Sequence, residues 1–363
     1  MTDTSEILLF GTGSFAARIL FDIAATAERR VTVVVAGRKA ERLAWLRTAG
    51  QARAAIFERP VRIGTRIAGI SSADAAAEII AAVKPKVIVQ AASEQGGAVI
   101  STRGNVWSRL VADSGLSATA VFQALLSSRV ARGLADTTHR AFFINCCYAD
   151  VVNSLIAALG LPITTGVGNV SILSNAFAGE LGPQQGHRLK LLAHYQTIGL
   201  FRRPPGERTG PLPRVWIDDA EIDDVRSRFQ NVQLTPEPVI DISGASAVPM
   251  ILAMAAGLSW TGHAPGPLGL PGGYPVKLTG GQLELNLPVS VTRDEAIRWN
   301  AGFEERNGLI VENDGCARYT GVLRDKLASH STSLAGGFHV RDLETVFSEM
   351  VQLRGRLIER PAQ

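Results

Sequence analysis

A glycine-rich turn joins an apolar strand to an apolar-faced helix near the start of the chain. Residues 7–20 read ILLFGTGSFAARIL, where Gly11, Gly13 and Ala16 make the pattern G-x-G-x-x-A. Gly11 permits a tight turn, Gly13 lets the backbone approach a pyrophosphate, and Ala16 lets the helix pack against a sheet. Because the pattern stands between a strand and a helix, it predicts a dinucleotide-binding turn. The residues expected to bind the cofactor here are Gly11, Thr12, Gly13, Ser14 and Phe15.

Runs rich in β-branched residues alternate with alanine-rich helical stretches through the first 145 residues. The expected strands are EILLF, VTVVVA, RIAGI, KVIVQAA and AFFIN. Strands that alternate with helices form parallel βαβ units, with helices on both faces of one sheet. The expected fold class is therefore α/β, with an N-terminal Rossmann-type doubly wound parallel sheet in a dinucleotide-binding domain over residues 1–148.

The rhythm changes after about residue 150. Stretches rich in proline and glycine at 201–214 and 263–275 predict long loops. Alternating apolar residues around Gly280 and Gly281 predict an antiparallel hairpin. Thr292 and Glu295 are spaced as a capping box at the start of a helix. Residues 149–363 are expected to form an α+β domain for substrate binding, catalysis and dimerisation.

The composition excludes several classes of protein. A chain of 363 residues that is 46% hydrophobic can bury two cores and is not largely disordered. The 37 basic and 33 acidic residues leave a net charge of +4, without a basic block long enough to follow nucleic acid. No apolar run reaches membrane-spanning length, and the first residues do not resemble a secretory signal. We therefore expect a small-molecule substrate and neither nucleic acid nor a membrane as partner.

The cysteines indicate the redox compartment. The chain has three, Cys146, Cys147 and Cys316, and their spacing is not that of a zinc site. Adjacent cysteines rarely form a disulfide with each other. A small odd number of cysteines favours reduced thiols in a cytoplasmic protein, and no metal is expected.

The second expected strand ends in two cations. Gly37 is followed by Arg38 and Lys39, and the next acidic residue is Glu41. In dinucleotide-binding sheets an acidic residue here binds the ribose 2′-hydroxyl of NAD, whereas an Arg accommodates the 2′-phosphate of NADP. A solvated helix start explains the pair less well, because cations are disfavoured at a helix N-terminus. Gly37, Arg38 and Lys39 are therefore expected to bind the cofactor, and the cofactor is expected to be NADP.

Four stretches carry a resemblance to known oxidoreductases: GTGSFAARIL (11–20), VIVQAAS (87–93), FFINCCYADVVNSLIAALGLP (142–162) and GVGNVSIL (166–173). The chain resembles the saccharopine dehydrogenase-like group of NAD(P)-binding oxidoreductases, and it is similar in plan to the lactate/malate dehydrogenases. The resemblance implies that the loop of residues 92–97 lies over the nicotinamide, with Ala92 and Ser93 binding it. It also implies that Asn145 contacts the nicotinamide and that His194 is catalytic.

The chain departs from the lactate/malate pattern after GVGNVSIL. That pattern has an Asp that pairs with the histidine and an Arg that holds a carboxylate, whereas this chain has Ser174 and Asn175 there. A 2-hydroxy acid held in the usual way is therefore not expected. Arg103, in the loop after the fourth strand, could hold an acid or be an ordinary exposed residue.

Three residues are candidates for proton transfer. His194 comes first, since imidazole titrates near neutral pH and can both donate and accept a proton. Tyr148, just after the fifth strand, could orient the histidine or the substrate, as could Asp150, although a helix cap is an equal explanation for such residues. Lys277 is a second donor candidate and could equally be an exposed strand residue. A histidine satisfied by hydrogen bonds in the core is as common as a catalytic one.

These observations favour an NADP-dependent oxidoreductase that acts on a small polar carbonyl or imine, or on the corresponding alcohol or amine. Two alternatives remain open. One is an enzyme that keeps the nucleotide bound and uses it internally, as a cyclodeaminase or an epimerase does. The other is a non-catalytic NADP sensor. By analogy of fold, a homodimer is expected.

Overall fold

The computed structural model describes residues 6–95, 104–235 and 239–362. Its largest sheet is parallel and has the strand order β3-β2-β1-β4-β5-β6. This is the order of a doubly wound dinucleotide-binding sheet, so the expected fold class is confirmed. The strands are β1 (Ile7–Phe10), β2 (Val31–Gly37), β3 (Val61–Ile67), β4 (Val87–Gln90), β5 (Phe142–Asn145) and β6 (Thr165–Gly166).

The central strands are apolar on both faces. All four residues of β1 and all four of β4 are buried, as a strand covered by helices on both sides requires. Alternate side chains of β1 enter two different cores: Leu8 and Phe10 belong to one, Ile7 and Leu9 to the other. The continuous apolar runs read from the sequence therefore reflect burial on two faces.

Helices cover both faces of this sheet, and further helices follow it along the chain. The longer ones are α1 (Ser14–Thr26), α2 (Ala40–Ile56), α3 (Ala73–Val83), α4 (Val106–Ser114), α5 (Ala120–Ala135), α6 (Ala149–Ala158), α7 (Val170–Leu181), α8 (Ile240–Ala256), α9 (Arg293–Arg306), α10 (Gly321–Ala328) and α11 (Leu343–Ile358). Single helical turns are found at Pro183–Gly186, Tyr195–Ile198, Val225–Arg228 and Thr332–Ala335.

Three small antiparallel sheets follow the parallel one along the chain. The predicted hairpin at Gly280 and Gly281 is confirmed, since these residues join two paired strands. Thr292 accepts a hydrogen bond from the backbone N–H of Glu295, which confirms the predicted start of α9. The strands are β7 (Leu189–Leu192), β8 (Arg214–Ile217), β9 (Ala220–Glu221), β10 (Trp260–Pro265), β11 (Gly273–Thr279), β12 (Gln282–Leu285), β13 (Leu309–Val311), β14 (Cys316–Tyr319) and β15 (Phe338–His339).

The parallel sheet continues past residue 148, the expected boundary between the two regions. The last strand of the parallel sheet, β6, comes after that position and pairs with β5. The C-terminal helix α11 packs against α4 and α5 and contributes Met350 and Leu353 to the core beneath them. The C-terminal helix is thus part of the hydrophobic core of the first region. Within the described residues, no helix combines the length and the apolar character needed to cross a membrane.

Candidate functional site

A cleft runs along the carboxyl edge of the parallel sheet, where the strand order reverses between β1 and β4. Open α/β sheets bind their ligands at this topological switch point. Its cavity volume is about 600 Å³, within the range of small-molecule sites. The lining, here called the dinucleotide cleft, consists of residues 10–15, 36–38, 68–71 and 91–95 with Gln123, Leu126, Arg129, Cys146, Cys147 and Ile240.

The glycine turn has the shape that a pyrophosphate site needs. Gly11 adopts φ +119°, and a Cβ on it would lie 3.0 Å from the carbonyl carbon of Ala91. A Cβ on Gly13 would meet no atom within 4 Å, so this glycine borders open space. The first turn of α1, which follows Gly13, has no acidic residue that would repel an anion. The turn therefore leaves open space at Gly13 and carries no acidic side chain at the start of α1, as a pyrophosphate site requires.

Arg38 and Lys39 are separated by the structure. Both are exposed, but only Arg38 lines the dinucleotide cleft, while Lys39 is the N-cap residue of α2. The Arg38 side chain passes over Gly69, in the loop after β3, where an added Cβ would lie 3.5 Å from its Cγ. Gly37 is required by close packing, because a Cβ there would lie 2.4 Å from the Thr12 methyl carbon. Thr12, Ser14, Phe15 and Gly37 all line the cleft, as expected.

The loop after β4 forms the other end of the cleft. Ala92 and Ser93 line it, and the Ser93 hydroxyl donates to the carbonyl of Gln95 at 2.8 Å. The remaining residues expected here, Gly96, Gly97 and Arg103, lie outside the described part of the chain.

Two cysteines lie beside this end of the cleft. Burial raises the pKa of the Cys147 thiol to about 12, and it also raises the pKa of Cys146 well above its usual value. The Cys147 thiol donates to the carbonyl of Ala92 at 3.3 Å. Both groups are therefore neutral thiols at physiological pH, and they shape the cleft without acting as nucleophiles.

Asn145 does not reach the cleft. It is fully buried, and its amide is satisfied within the protein. Its Nδ2 donates to the carbonyl of Cys147 and to Oδ1 of Asn153, while its Oδ1 accepts from the Cys147 N–H and the Ser127 hydroxyl. The expected contact with the nicotinamide is thus corrected: Asn145 shapes the turn after β5, since an amide with four partners has no free group for a ligand.

His194 lies in a buried polar cluster that does not line the cleft. It is fully buried, its ring stacks on Phe303 at 4.8 Å between centroids, and its Nε2 lies 3.0 Å from Oε1 of Glu304. The two groups are close, but they are not aligned as a hydrogen bond. Its Nδ1 accepts from the N–H of Gln196 at 3.4 Å. Neither His194 nor Tyr148 is part of the cleft lining.

Glu304 is the centre of this cluster. Its Oε2 accepts from the Ser117 hydroxyl at 2.8 Å and from the Leu309 N–H at 2.6 Å, and its Oε1 accepts from the Tyr148 hydroxyl at 3.3 Å. Burial and the Glu304 carboxylate raise the pKa of Tyr148 well above its usual value, so the phenol stays protonated. We call Ser117, Tyr148, His194 and Glu304 the Glu304 cluster.

Asp150 borders the Glu304 cluster and does not cap a helix. Its carboxylate accepts from Nδ2 of Asn169 and from the backbone N–H of Tyr195, each at 2.7 Å. Burial raises its pKa, against the lowering effect of nearby His194. Tyr195 is the residue after His194, so its hydrogen bond to Asp150 holds the backbone in place beside His194.

Lys277 lies apart from both the cleft and the cluster. It is on β11, its side chain is 45% exposed, and it pairs with Glu284 on the neighbouring strand at 3.3 Å. It does not line the dinucleotide cleft, so the geometry gives it no contact with a ligand there. This is the ordinary strand lysine that the sequence left open as the alternative.

Glu304 and Arg354 were not expected from the sequence, whereas Gln95 was included only as a member of the loop of residues 92–97. Glu304 stands in the charged stretch FEER, which is typical of an exposed helix end. A signal was available, since Ala296, Trp299 and Phe303 form an apolar stripe along this helix. Glu304 follows Phe303 directly and is buried with it. Arg354 stands in LRGRL, which reads in the same way as a solvated helix surface.

Neither the larger cavity at the opposite edge of the sheet nor any cluster of metal-ligating side chains in the described residues offers a second site. A larger cavity, of about 930 Å³, opens beside Lys86 and Phe142 at the amino ends of β4 and β5. This is the edge of the sheet away from the glycine turn, where such folds do not bind nucleotides. In the part of the chain that the structure describes, no group of three His, Cys, Asp or Glu side chains could hold a metal ion.

Comparison with known proteins bears on the fold. No protein-family model matches the chain, and no curated protein matches it. Among solved structures it is similar to malate dehydrogenase from Cryptosporidium parvum, with 13% identity, a TM-score of 0.53 and coverage of 82% of this chain and 96% of that one. It is also similar to lactate dehydrogenase from Eimeria maxima, solved with NADH and oxamate, with 12% identity, a TM-score of 0.52 and coverage of 84% and 94%.

These structures confirm the lactate/malate dehydrogenase part of the expected resemblance, as a likeness of fold. The resemblance to the saccharopine dehydrogenase-like group receives no support from them. The chain thus has the overall fold of the malate and lactate dehydrogenase structures, with a cleft lined by the glycine turn at the switch point of its parallel sheet.

Proposed function

We propose that this protein is an NADP(H)-dependent oxidoreductase that transfers a hydride between the dinucleotide and a small polar carbonyl or imine, or the corresponding alcohol or amine. The observation that carries the proposal is the dinucleotide cleft, in which the glycine turn, Arg38 and the loop after β4 line one cavity. The malate and lactate dehydrogenase neighbours support the same class of chemistry. When bound, the nicotinamide supplies the hydride.

The choice of NADP rests on Arg38. A guanidinium presents a bidentate fork to a phosphate and a flat face to adenine, and Arg38 lines the cleft at the end of β2. The structure of the Eimeria lactate dehydrogenase contains NADH, so the cofactor preference is the first point to test. Lys39 adds positive charge nearby without lining the cleft.

The proton donor in this proposal is His194, followed by Tyr148. Both belong to the Glu304 cluster, are buried and do not line the cleft. A proton could therefore reach the substrate only after a member of the cluster turns toward the cleft. Lys277 has no part in the proposal, because its side chain pairs with Glu284 away from the cleft.

A second candidate is nucleotide binding without turnover. The specific observation in its favour is that both proposed proton donors are buried against Glu304: Nε2 of His194 lies 3.0 Å from its Oε1, and the Tyr148 hydroxyl donates to the same oxygen. Under either candidate we propose a homodimer, by analogy of fold, in the cytoplasm, where the free thiols Cys146, Cys147 and Cys316 would stay reduced.

The first experiment measures nucleotide binding. The purified protein is titrated with NADPH and then NADH, following energy transfer from tryptophan to the nicotinamide. We expect NADPH to bind at least about tenfold more tightly, a difference of about 1.4 kcal/mol, and Arg38→Ala to remove that preference. Arg47→Ala is the matched control, since Arg47 is exposed on α2 and does not line the cleft. Equal affinities would remove NADP from the proposal, and absence of binding would end it.

The second experiment separates the two candidates. NADPH consumption is followed over a panel of small carbonyl and imine compounds, with wild type and His194→Gln in parallel. Turnover that His194→Gln loses while keeping its affinity for NADPH supports the oxidoreductase and the histidine. Full turnover in His194→Gln would eliminate that residue as the donor. Tight NADPH binding without turnover on any compound would favour the second candidate.

A further inference from the structure

One side chain of the dinucleotide cleft has an unmet hydrogen-bonding requirement. Gln95, which lines the cleft at the end expected for the nicotinamide, is 4% exposed. Its Nε2 is buried and has no hydrogen-bond partner. An unpaired buried amide costs about 1–3 kcal/mol, so such a group in a cleft is most simply explained by a ligand that pairs with it.

The other end of the same amide is held by the C-terminal helix. Nη1 of Arg354 lies 2.6 Å from Oε1 of Gln95, and the same atom lies 3.4 Å from the carbonyl of Glu94. The guanidinium stacks over the ring of Phe122, 4.1 Å from its centroid. Arg354 is thus fixed by both stacking and hydrogen bonds.

The contact with Arg354 determines which way the Gln95 amide faces. A guanidinium has only donors, so it pairs with Oε1, and the reversed amide would set N–H groups against N–H groups. The main chain is fixed as well, since the Glu94 N–H donates to the carbonyl of Phe122 at 3.2 Å. The Ser93 hydroxyl holds the Gln95 carbonyl. Nε2 is therefore left on the side of Gln95 away from Arg354.

We infer that Arg354 is a positioning residue that makes Gln95 offer N–H donors to the substrate, so that the substrate of this cleft carries an acceptor oxygen, of a carbonyl or carboxylate, at that point. A protonated amine or iminium would face N–H groups and is disfavoured there. The inference rests on the proposed function and narrows it, because it selects the carbonyl and alcohol pair over the imine and amine pair.

The test uses the NADPH-loaded full-length protein and two kinds of probe. Pyruvate and oxamate present acceptor oxygens, and isopropylamine presents an ammonium group; binding of each is measured by calorimetry. We expect pyruvate or oxamate to bind the wild type and isopropylamine not to bind. Gln95→Glu, which keeps a partner for Arg354 but removes the donor, should lose oxo-acid binding.

Variants of the positioning residue separate its role from one in stability. We expect Arg354→Met to weaken probe binding at least tenfold and Arg354→Lys, which keeps one donor for Oε1, to stay within about threefold of the wild type. Arg356→Met is the matched control, since Arg356 is exposed on the same helix. The Arg354 and Arg356 variants should bind NADPH as the wild type does, and a thermal melt checks that each of them is folded.

Each contrary outcome has a distinct meaning. If the wild type does not bind NADPH, the proposed function fails before the inference is reached. If it binds NADPH but binds neither pyruvate nor oxamate, or binds isopropylamine instead, the inference is overturned and the proposed function stands. Unchanged probe affinity in a folded Arg354→Met would overturn the positioning role.

Discussion

Nε2 of His194 lies 3.0 Å from Oε1 of Glu304, and both side chains are almost completely buried. The histidine follows β7, whereas the glutamate is in the last turn of α9. The Glu304 carboxylate therefore occupies the space beside Nε2 of His194. A residue that the sequence marks as a proton donor is thereby enclosed within the protein.

Removal of the Glu304 carboxylate should destabilise the protein strongly. Breaking a buried polar cluster at one member costs about 3–5 kcal/mol, because the partners stay buried and unpaired. We expect Glu304→Ala to lower the free energy of unfolding by about that amount, measured by urea denaturation. Glu305→Ala is the control, since its side chain is exposed, and it should change stability by less than about 0.5 kcal/mol. Equal effects of the two substitutions would contradict the central role of Glu304.

Alanine substitutions at the two glycines of the turn should affect different properties, stability at Gly11 and NADPH affinity at Gly13. Gly11→Ala introduces a Cβ 3.0 Å from Ala91 at φ +119°, so we expect a loss of stability of about 1–3 kcal/mol. Gly13→Ala meets no protein atom and should fold normally, but its methyl group would stand where the pyrophosphate approaches. We expect it to lose at least tenfold in NADPH affinity. A Gly13→Ala protein with unchanged affinity would show that the pyrophosphate does not lie at this turn.

Asn145 should prove structural. Asn145→Ala leaves the Cys147 N–H and Oδ1 of Asn153 without their partner, while the Ser127 hydroxyl keeps the carbonyl of Gln123 as an acceptor. We expect a loss of at least about 2 kcal/mol in the free energy of unfolding, since each unsatisfied buried group costs about 1–3 kcal/mol. Asn231→Ala, at an exposed amide, is the comparison. A stable Asn145→Ala protein with weakened NADPH binding would instead favour the direct cofactor contact implied by the resemblance.

His263 should make stability depend on pH. Burial lowers its pKa to about 3, from a usual value of 6.5, so the folded protein keeps the imidazole neutral while the unfolded chain takes up a proton. The free energy of unfolding is not reduced by this group above pH 6.5. As the pH falls from 6.5 toward 3, the free energy of unfolding decreases by up to about 1.4 kcal/mol per pH unit, because only the unfolded chain takes up the proton. Urea denaturation at pH 7, 6 and 5 should give a shallower pH slope for His263→Gln than for wild type. Parallel slopes would contradict the prediction.

Much of the fold could be predicted because it depends on residues that are close in sequence. The glycine turn, the end of β2, the hairpin at Gly280 and the start of α9 at Thr292 are each determined within a few residues. The doubly wound sheet followed from the alternation of strands and helices. The residues of the glycine turn and Arg38 line the cleft, and their contact with a cofactor stays a prediction.

By itself the sequence determined where most of the turns and the central strands form, because local backbone preferences and apolar periodicity are written into neighbouring positions. Two predictions were wrong: the third strand, expected at RIAGI (66–70), is β3 (Val61–Ile67), and the loop expected over 263–275 includes the end of β10 and the start of β11. Only the tertiary structure decided that Glu304 meets His194, that Arg354 fixes the amide of Gln95, and that Lys277 stays at the surface. Those outcomes depend on contacts between distant segments. A Glu or Arg in a helix has the same local pattern whether it faces solvent or a buried partner, so its role is settled when the segments pack together.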